Sequence, residues 1–134
     1  MIFDTTYYSK EIKEEIDLTL GKPFSPINVI KIGVIGSSRM IIDSNSSGFD
    51  KLVKLNTDLT HASIGLRPKG ILVILAKSYK NLSWVIPYHH LSIYKTDVLS
   101  IHSAGEFLKL RLNGKQNMKF ISKVLYRKLN YLKI

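Results

Sequence analysis

Apolar positions change period twice along the chain, and each change marks a shift in the kind of element expected. From residue 8 to 20 they recur every fourth position, at Ile12, Ile16 and Leu20, which predicts a helix with one buried stripe. Ser9 is placed to cap it, Glu11, Glu14 and Glu15 suit the positive end of its dipole, and Gly21, Pro23 and Pro26 stop it. Residues 28–36 are rich in β-branched side chains and read as a strand; residues 39–43 continue it or form its hairpin partner. Residues 44–48 read as a loop. Residues 50–56 fit either a helical turn, through Leu52 and Leu55, or a short strand. Residues 57–70 read mostly as connection, punctuated by Gly65, Pro68 and Gly70.

From residue 70 the period becomes two. Residues 70–77 form a continuous apolar run, expected as a strand buried on both faces or nearly so. After a turn at Tyr79-Lys80-Asn81, the residues Leu82, Trp84, Ile86 and Tyr88 alternate with Ser83, Val85, Pro87 and His89. Pro87 lacks an N–H to donate and marks a strand end or edge. Shorter alternations at 91–95, 98–103 and 106–112 are separated by turns at Thr96-Asp97 and Ala104-Gly105. Short strands joined by tight turns predict an antiparallel meander.

The last change restores helical spacing. Asn113 is the expected N-cap, with Gln116 three residues on. Met118, Ile121, Leu125, Leu129 and Leu132 fall within about 80° of arc at about 100° per residue and are expected to face the core. Phe120, Val124 and Tyr131 form an adjoining apolar flank, expected either to widen the buried arc or to meet a partner protein or a second copy of the chain. The elements predict an α+β fold: a strongly bent antiparallel sheet or roll of about six or seven strands, packed by a C-terminal amphipathic helix, with a short N-terminal helix. One domain is expected over 1–134, with residues 1–27 as N-terminal helix and linker and 28–132 as roll and capping helix.

Composition adds a polarity to this picture. At 134 residues the chain can bury roughly 65–70% of its unfolded surface. Its mean hydropathy of +0.03 is ordinary for a globular protein. No run approaches the ~18 apolar residues of a membrane span, and Met1-Ile2-Phe3-Asp4-Thr5 has no signal-peptide character, so a cytoplasmic location is expected. With no cysteine, disulfides and thiolate metal sites are excluded. The net charge of +10 is unevenly spread: residues 1–58 carry −1 and residues 59–134 carry +11, with no acidic side chain after Glu106. That asymmetry suggests an anionic partner surface, whether nucleic acid, membrane lipid or an acidic protein.

The element order resembles the pleckstrin-homology-like roll. The run Trp84-Val85-Ile86-Pro87-Tyr88-His89-His90-Leu91-Ser92-Ile93 is similar to the bacterial branch of that superfamily, in which an apolar-Pro-Tyr/Trp-x-x-Ile step joins two strands. The resemblance covers residues 28–132. It implies a binding module, since many relatives are protein-interaction domains and others bind lipid. Lipid-binding members carry a Lys/Arg cluster in the first hairpin loop. The corresponding stretch here, Gly36 to Arg39, has Arg39 alone, which speaks against phosphoinositide binding.

Candidate chemistry is sparse. Gly33-Val34-Ile35-Gly36-Ser37 after an apolar run suggests a phosphate-binding turn. No P-loop lysine stands beyond it, and residues 39–43 are too few and too β-branched for the required helix. The histidines are His61, His89, His90 and His102. Adjacent His89 and His90 would point to opposite faces of a strand, so no metal site is expected. No nucleophile elbow or carboxylate pair occurs; no catalytic residue and no cofactor is expected, and the chain reads as non-enzymatic. The strongest surface feature is Lys115, Lys119, Lys123 and Arg127 at spacing four, a basic row that Lys109 and Arg111 on the preceding strand would extend toward an anionic partner.

Overall fold

The computed structural model describes residues 1–7, 9–49, 60–77, 80–112 and 114–132. The ambiguous stretch 50–56 and the expected cap Asn113 lie outside the described residues.

The N-terminal helix forms where expected. After a short strand β1 (Ile2–Asp4), α1 spans Lys10–Leu20. The Ser9 Oγ accepts the Ile12 N–H at 3.2 Å, and Gly21, at φ 83°, closes the helix by donating its N–H to the Asp17 carbonyl at 2.8 Å. Ile16 and Leu20 are buried against Val85.

The next segment overturns the strand expected at 28–36. Residues Pro26–Ile32 form helix α2 instead. Three local signals outweigh the β-branched composition: the Ser25 hydroxyl accepts the Asn28 N–H at 3.3 Å, Pro26 presets the first helical φ, and Gly33 at φ 90° ends the helix by donating to Val29. The chain then extends, with Gly36 bridging Gly65 alone before β2 (Met40–Asn45) begins.

Six further strands complete the sheet: β3 (His61–Arg67), β4 (Gly70–Lys77), β5 (Lys80–Pro87), β6 (Ser92–Lys95), β7 (Val98–Ser103) and β8 (Glu106–Arg111). With β1 and β2 they make, among the described residues, an open antiparallel sheet of eight strands in the order β1-β5-β4-β3-β2-β8-β7-β6. The count exceeds the expected six or seven partly because β3 occupies a stretch whose sequence reads as connection. Its inward positions are Ala62, Ile64 and Leu66, and the small residues Ser63 and Gly65 between them mute the alternation. β2 is the shared strand. Met40 and Ile41 pair with β3, while Ile42, Ser44 and Asn45 pair with β8 across a register shift.

Strands β4 and β5 explain their own apolar runs. One face, with Ile71, Val73, Leu75, Trp84 and Ile86, lines the main core; the other presents Leu72 and Val85 to α1. At the start of β4, Gly70 sits so close to β5 that a Cβ would overlap the Ile86 carbonyl. Pro87 ends β5, and Tyr88–His90 form a 3-10 turn into β6, so His89 and His90 are not in a strand; their rings lie 4.2 Å apart. The C-terminal helix α3 spans Gly114–Leu132 and packs Phe120, Ile121 and Val124 into the main core.

Candidate interaction surface on the C-terminal helix

The orientation of α3 reverses part of the sequence expectation. Phe120 and Val124, candidates for a partner or dimer contact, are packed inside the molecule beside Ile121. Tyr131, the third candidate, sits against the Tyr88 ring at 5.4 Å but remains 36% exposed at the surface. Conversely, Met118, Leu125, Leu129 and Leu132, expected in the core, are 44%, 38%, 59% and 49% exposed; of that stripe only Ile121 is buried. Both arcs satisfy helical periodicity. Contacts along one flank determine which of them turns inward.

That flank is tied to the segment that enters β2. Asn117 is buried; its Oδ1 accepts the Ser38 N–H at 3.0 Å and its Nδ2 donates to the Ser38 Oγ at 2.8 Å. Further along the helix, the Lys123 Nζ donates to the carbonyls of Ile32 (2.9 Å) and Val34 (3.0 Å), satisfying backbone groups that the end of α2 leaves unpaired. One turn beyond, the Arg127 guanidinium lies over the Phe24 ring at 5.1 Å, a cation–π contact. Arg127 also lies beside Tyr88, whose phenol is pushed above its ordinary pKa by burial, with Arg127 partly opposing the shift.

The basic row is therefore divided. Lys123 and Arg127 hold α2 and its flanking chain to α3, whereas Lys115 and Lys119 are exposed and make no ion pair among the described residues. Lys109 and Arg111 do not extend the row. They alternate with the buried Leu108 and Leu110, so they project from the sheet face opposite the one α3 covers, and Arg111 pairs with Asp43 at 3.2 Å.

Two hollows among the described residues adjoin sequence candidates. A groove of about 380 Å³ runs between Val34–Ser38 and α3, with Phe120 in its wall and Lys119 and Lys123 beside it. A hollow of about 270 Å³ includes His90, His102 and Glu106. No hydrogen bond joins these three among the described residues: Glu106 accepts from the Ser46 hydroxyl at 2.8 Å, and His102 lies between the rings of Tyr94 and Phe107. No group of three His, Asp or Glu side chains close enough to hold a metal ion occurs among the described residues. Among those residues, too, no helix is long and apolar enough to cross a membrane.

The resulting site is a surface. Its apolar positions are Met118, Leu125, Leu129 and Leu132, with Tyr126 exposed on the crest of the helix and Lys115 and Lys119 toward its N-terminal end. Periodicity singles out these apolar residues but assigns them inward. It misses the exposed Ile27, Ile30 and Val34 of α2 and the chain after it, because their β-branched composition reads as strand. Width is the signal that could have oriented α3: Phe120, Ile121, Val124 and Tyr131, with Asn117 among them, span about 100° of arc, whereas Met118, Leu125, Leu129 and Leu132 span about 60°. No protein-family model, no curated protein and no solved structure matches the chain.

Proposed function

We propose that this chain is a non-enzymatic, cytoplasmic interaction module built on a pleckstrin-homology-like scaffold, with the outer flank of α3 as its binding surface. One observation carries the reading. The helix has already filled its core side with Phe120, Ile121 and Val124, yet keeps four large apolar side chains in a row in solvent. Exposed apolar rows rimmed by polar residues mark sites where another surface docks. The element order supports the scaffold: strands β2–β5 form one meander, β6–β8 another, β2 joins the two through β8, and a helix closes the chain.

The division of the basic row favours a protein partner over nucleic acid or a lipid surface. Two of its four cations are engaged inside the fold, and those of β8 face elsewhere. Too few remain in line for a polyanion, whose affinity scales with the number of phosphates neutralised. The test is photo-crosslinking in the cells that make the protein, with a benzophenone side chain placed at Leu129 and, as control, at the exposed Glu14 of α1. A discrete protein adduct from position 129, absent from position 14, is expected. No adduct at 129, the same adducts at both positions, or adducts to lipid or nucleic acid alone would overturn the reading.

A further inference from the structure

We infer that the occupant of this surface is an acidic amphipathic helix of a partner protein, lying alongside α3 in a two-stranded seam. The inference rests on the interaction-module reading and names the partner's chemistry. Spacing carries the first part. Met118, Ser122, Leu125, Leu129 and Leu132 succeed each other at intervals of 4, 3, 4 and 3, the a/d pattern that a second helix fills with knobs-into-holes packing. All five are exposed. At 1.5 Å per residue the seam runs about 21 Å, two heptads.

Direction carries the second part. At about 100° per residue the seam is centred roughly a quarter turn from the buried face, on the side away from α2. The crest opposite the core presents Lys119, Tyr126 and Asn130 instead. A flat bilayer resting on the helix would meet that polar crest first, whereas interfacial helices turn a wide apolar face to the lipid. A helix lying beside α3 reaches the seam without crossing the crest.

Charge carries the third part. Of the positions flanking the seam, two hold Lys119 and the half-buried Lys128 and the others hold Tyr126 and the core residue Ile121; Lys115 stands at the seam's N-terminal end, and the chain has no acidic side chain after Glu106. Charges at such flanking positions select coiled-coil partners. Glutamates on the partner complement them. A second copy of α3 would set lysine against lysine, so self-pairing is disfavoured in either direction.

The probe is a fluorescent 21-residue peptide with leucine at a and d and glutamate at e and g, compared with a scrambled peptide of the same composition and a version with lysine at e and g. The full chain is expected to bind the acidic heptad peptide at least tenfold more tightly than either control. Leu125→Asp with Leu129→Asp should weaken binding at least tenfold with an unchanged circular dichroism spectrum. The surface pair Lys119→Glu and Lys128→Glu should shift preference toward the lysine peptide. Equal binding of scrambled and heptad peptides, or indifference to both variant pairs, overturns the inference. So does binding to vesicles of 30% phosphatidylserine, or a dimer in solution, that Leu129→Asp abolishes while the peptide fails to bind. If crosslinking at Leu129 yields a protein adduct while the acidic peptide does not bind, this inference falls and the interaction-module reading stands. If neither experiment gives a signal, both fall.

Discussion

Tyr88 sits where β3, the turn after β5 and α3 meet. Its N–H donates to the Lys69 carbonyl at 2.9 Å, its hydroxyl reaches the Arg67 carbonyl at 3.4 Å, and its ring packs on Tyr131. Burial is the main reason its phenol holds its proton to higher pH than an ordinary tyrosine; Arg127, through a hydrogen bond and its charge, pulls the other way. The unfolded chain releases that proton near pH 10. A folded-state pKa raised above the unfolded one contributes stability that is intact below about pH 10 and is lost as pH climbs from there through the folded value. Tyr88→Phe removes the titration while keeping the ring, at a cost of at most about 1 kcal/mol near neutrality, because the hydroxyl's bond to the Arg67 carbonyl is long. Melting temperatures from pH 8 to 11 should therefore fall more steeply for the native chain than for the variant. Parallel curves would mean that Tyr88 ionises as freely in the fold as in the unfolded chain.

At the scale of elements, α3 offers the sharpest contrast, because neighbouring residues have opposite fates. Val124 lies in the core and Leu125 does not. Val124→Asp would bury a carboxylate with no partner and is expected to cost more than about 3 kcal/mol, enough to abolish cooperative unfolding in a marginally stable domain. Leu125→Asp alters an exposed position and should stay within about 1 kcal/mol of the native chain. Denaturant titration distinguishes them, and the reverse outcome would restore the orientation expected from the sequence. The same contrast shows what was legible. Ser9 and Gly21 frame α1 because caps are local chemistry, and β4 to β8 are readable because turns and alternation agree there. Propensity misleads at α2, where Ser25, Pro26 and Gly33 decide the conformation against a β-branched run. Periodicity gives the axis of α3 but not its rotation. That depends on Lys123 reaching the carbonyls of Ile32 and Val34 and on Asn117 meeting Ser38, contacts 79 to 91 residues apart in sequence.

For the whole molecule the governing quantity is the charge imbalance. The residues after position 58 carry an excess of eleven positive charges, against a deficit of one before it. Among the described residues two ion pairs join the halves, Asp17 with Arg67 at 2.9 Å and Asp43 with Arg111 at 3.2 Å. The first is largely shielded, and Arg67 also donates to the Gly21 carbonyl at 2.8 Å, so salt should weaken it little. The second is open to solvent and worth well under about 1 kcal/mol. Self-repulsion among the remaining lysines should therefore dominate the salt response. Raising NaCl from 10 to 150 mM shortens the screening length from about 30 to about 8 Å, which relieves that repulsion and should raise the melting temperature by roughly 3–5 °C, corresponding to about 1 kcal/mol. Binding of the acidic helix draws on the opposite term, attraction between unlike charges at Lys115, Lys119 and Lys128, and should weaken over the same range. Scanning calorimetry and peptide titration in matched buffers separate the two. A melting temperature that falls with salt would show that the cross-half ion pairs outweigh the repulsion, and the excess of lysine would then be stabilising in its own fold rather than held in reserve for a partner.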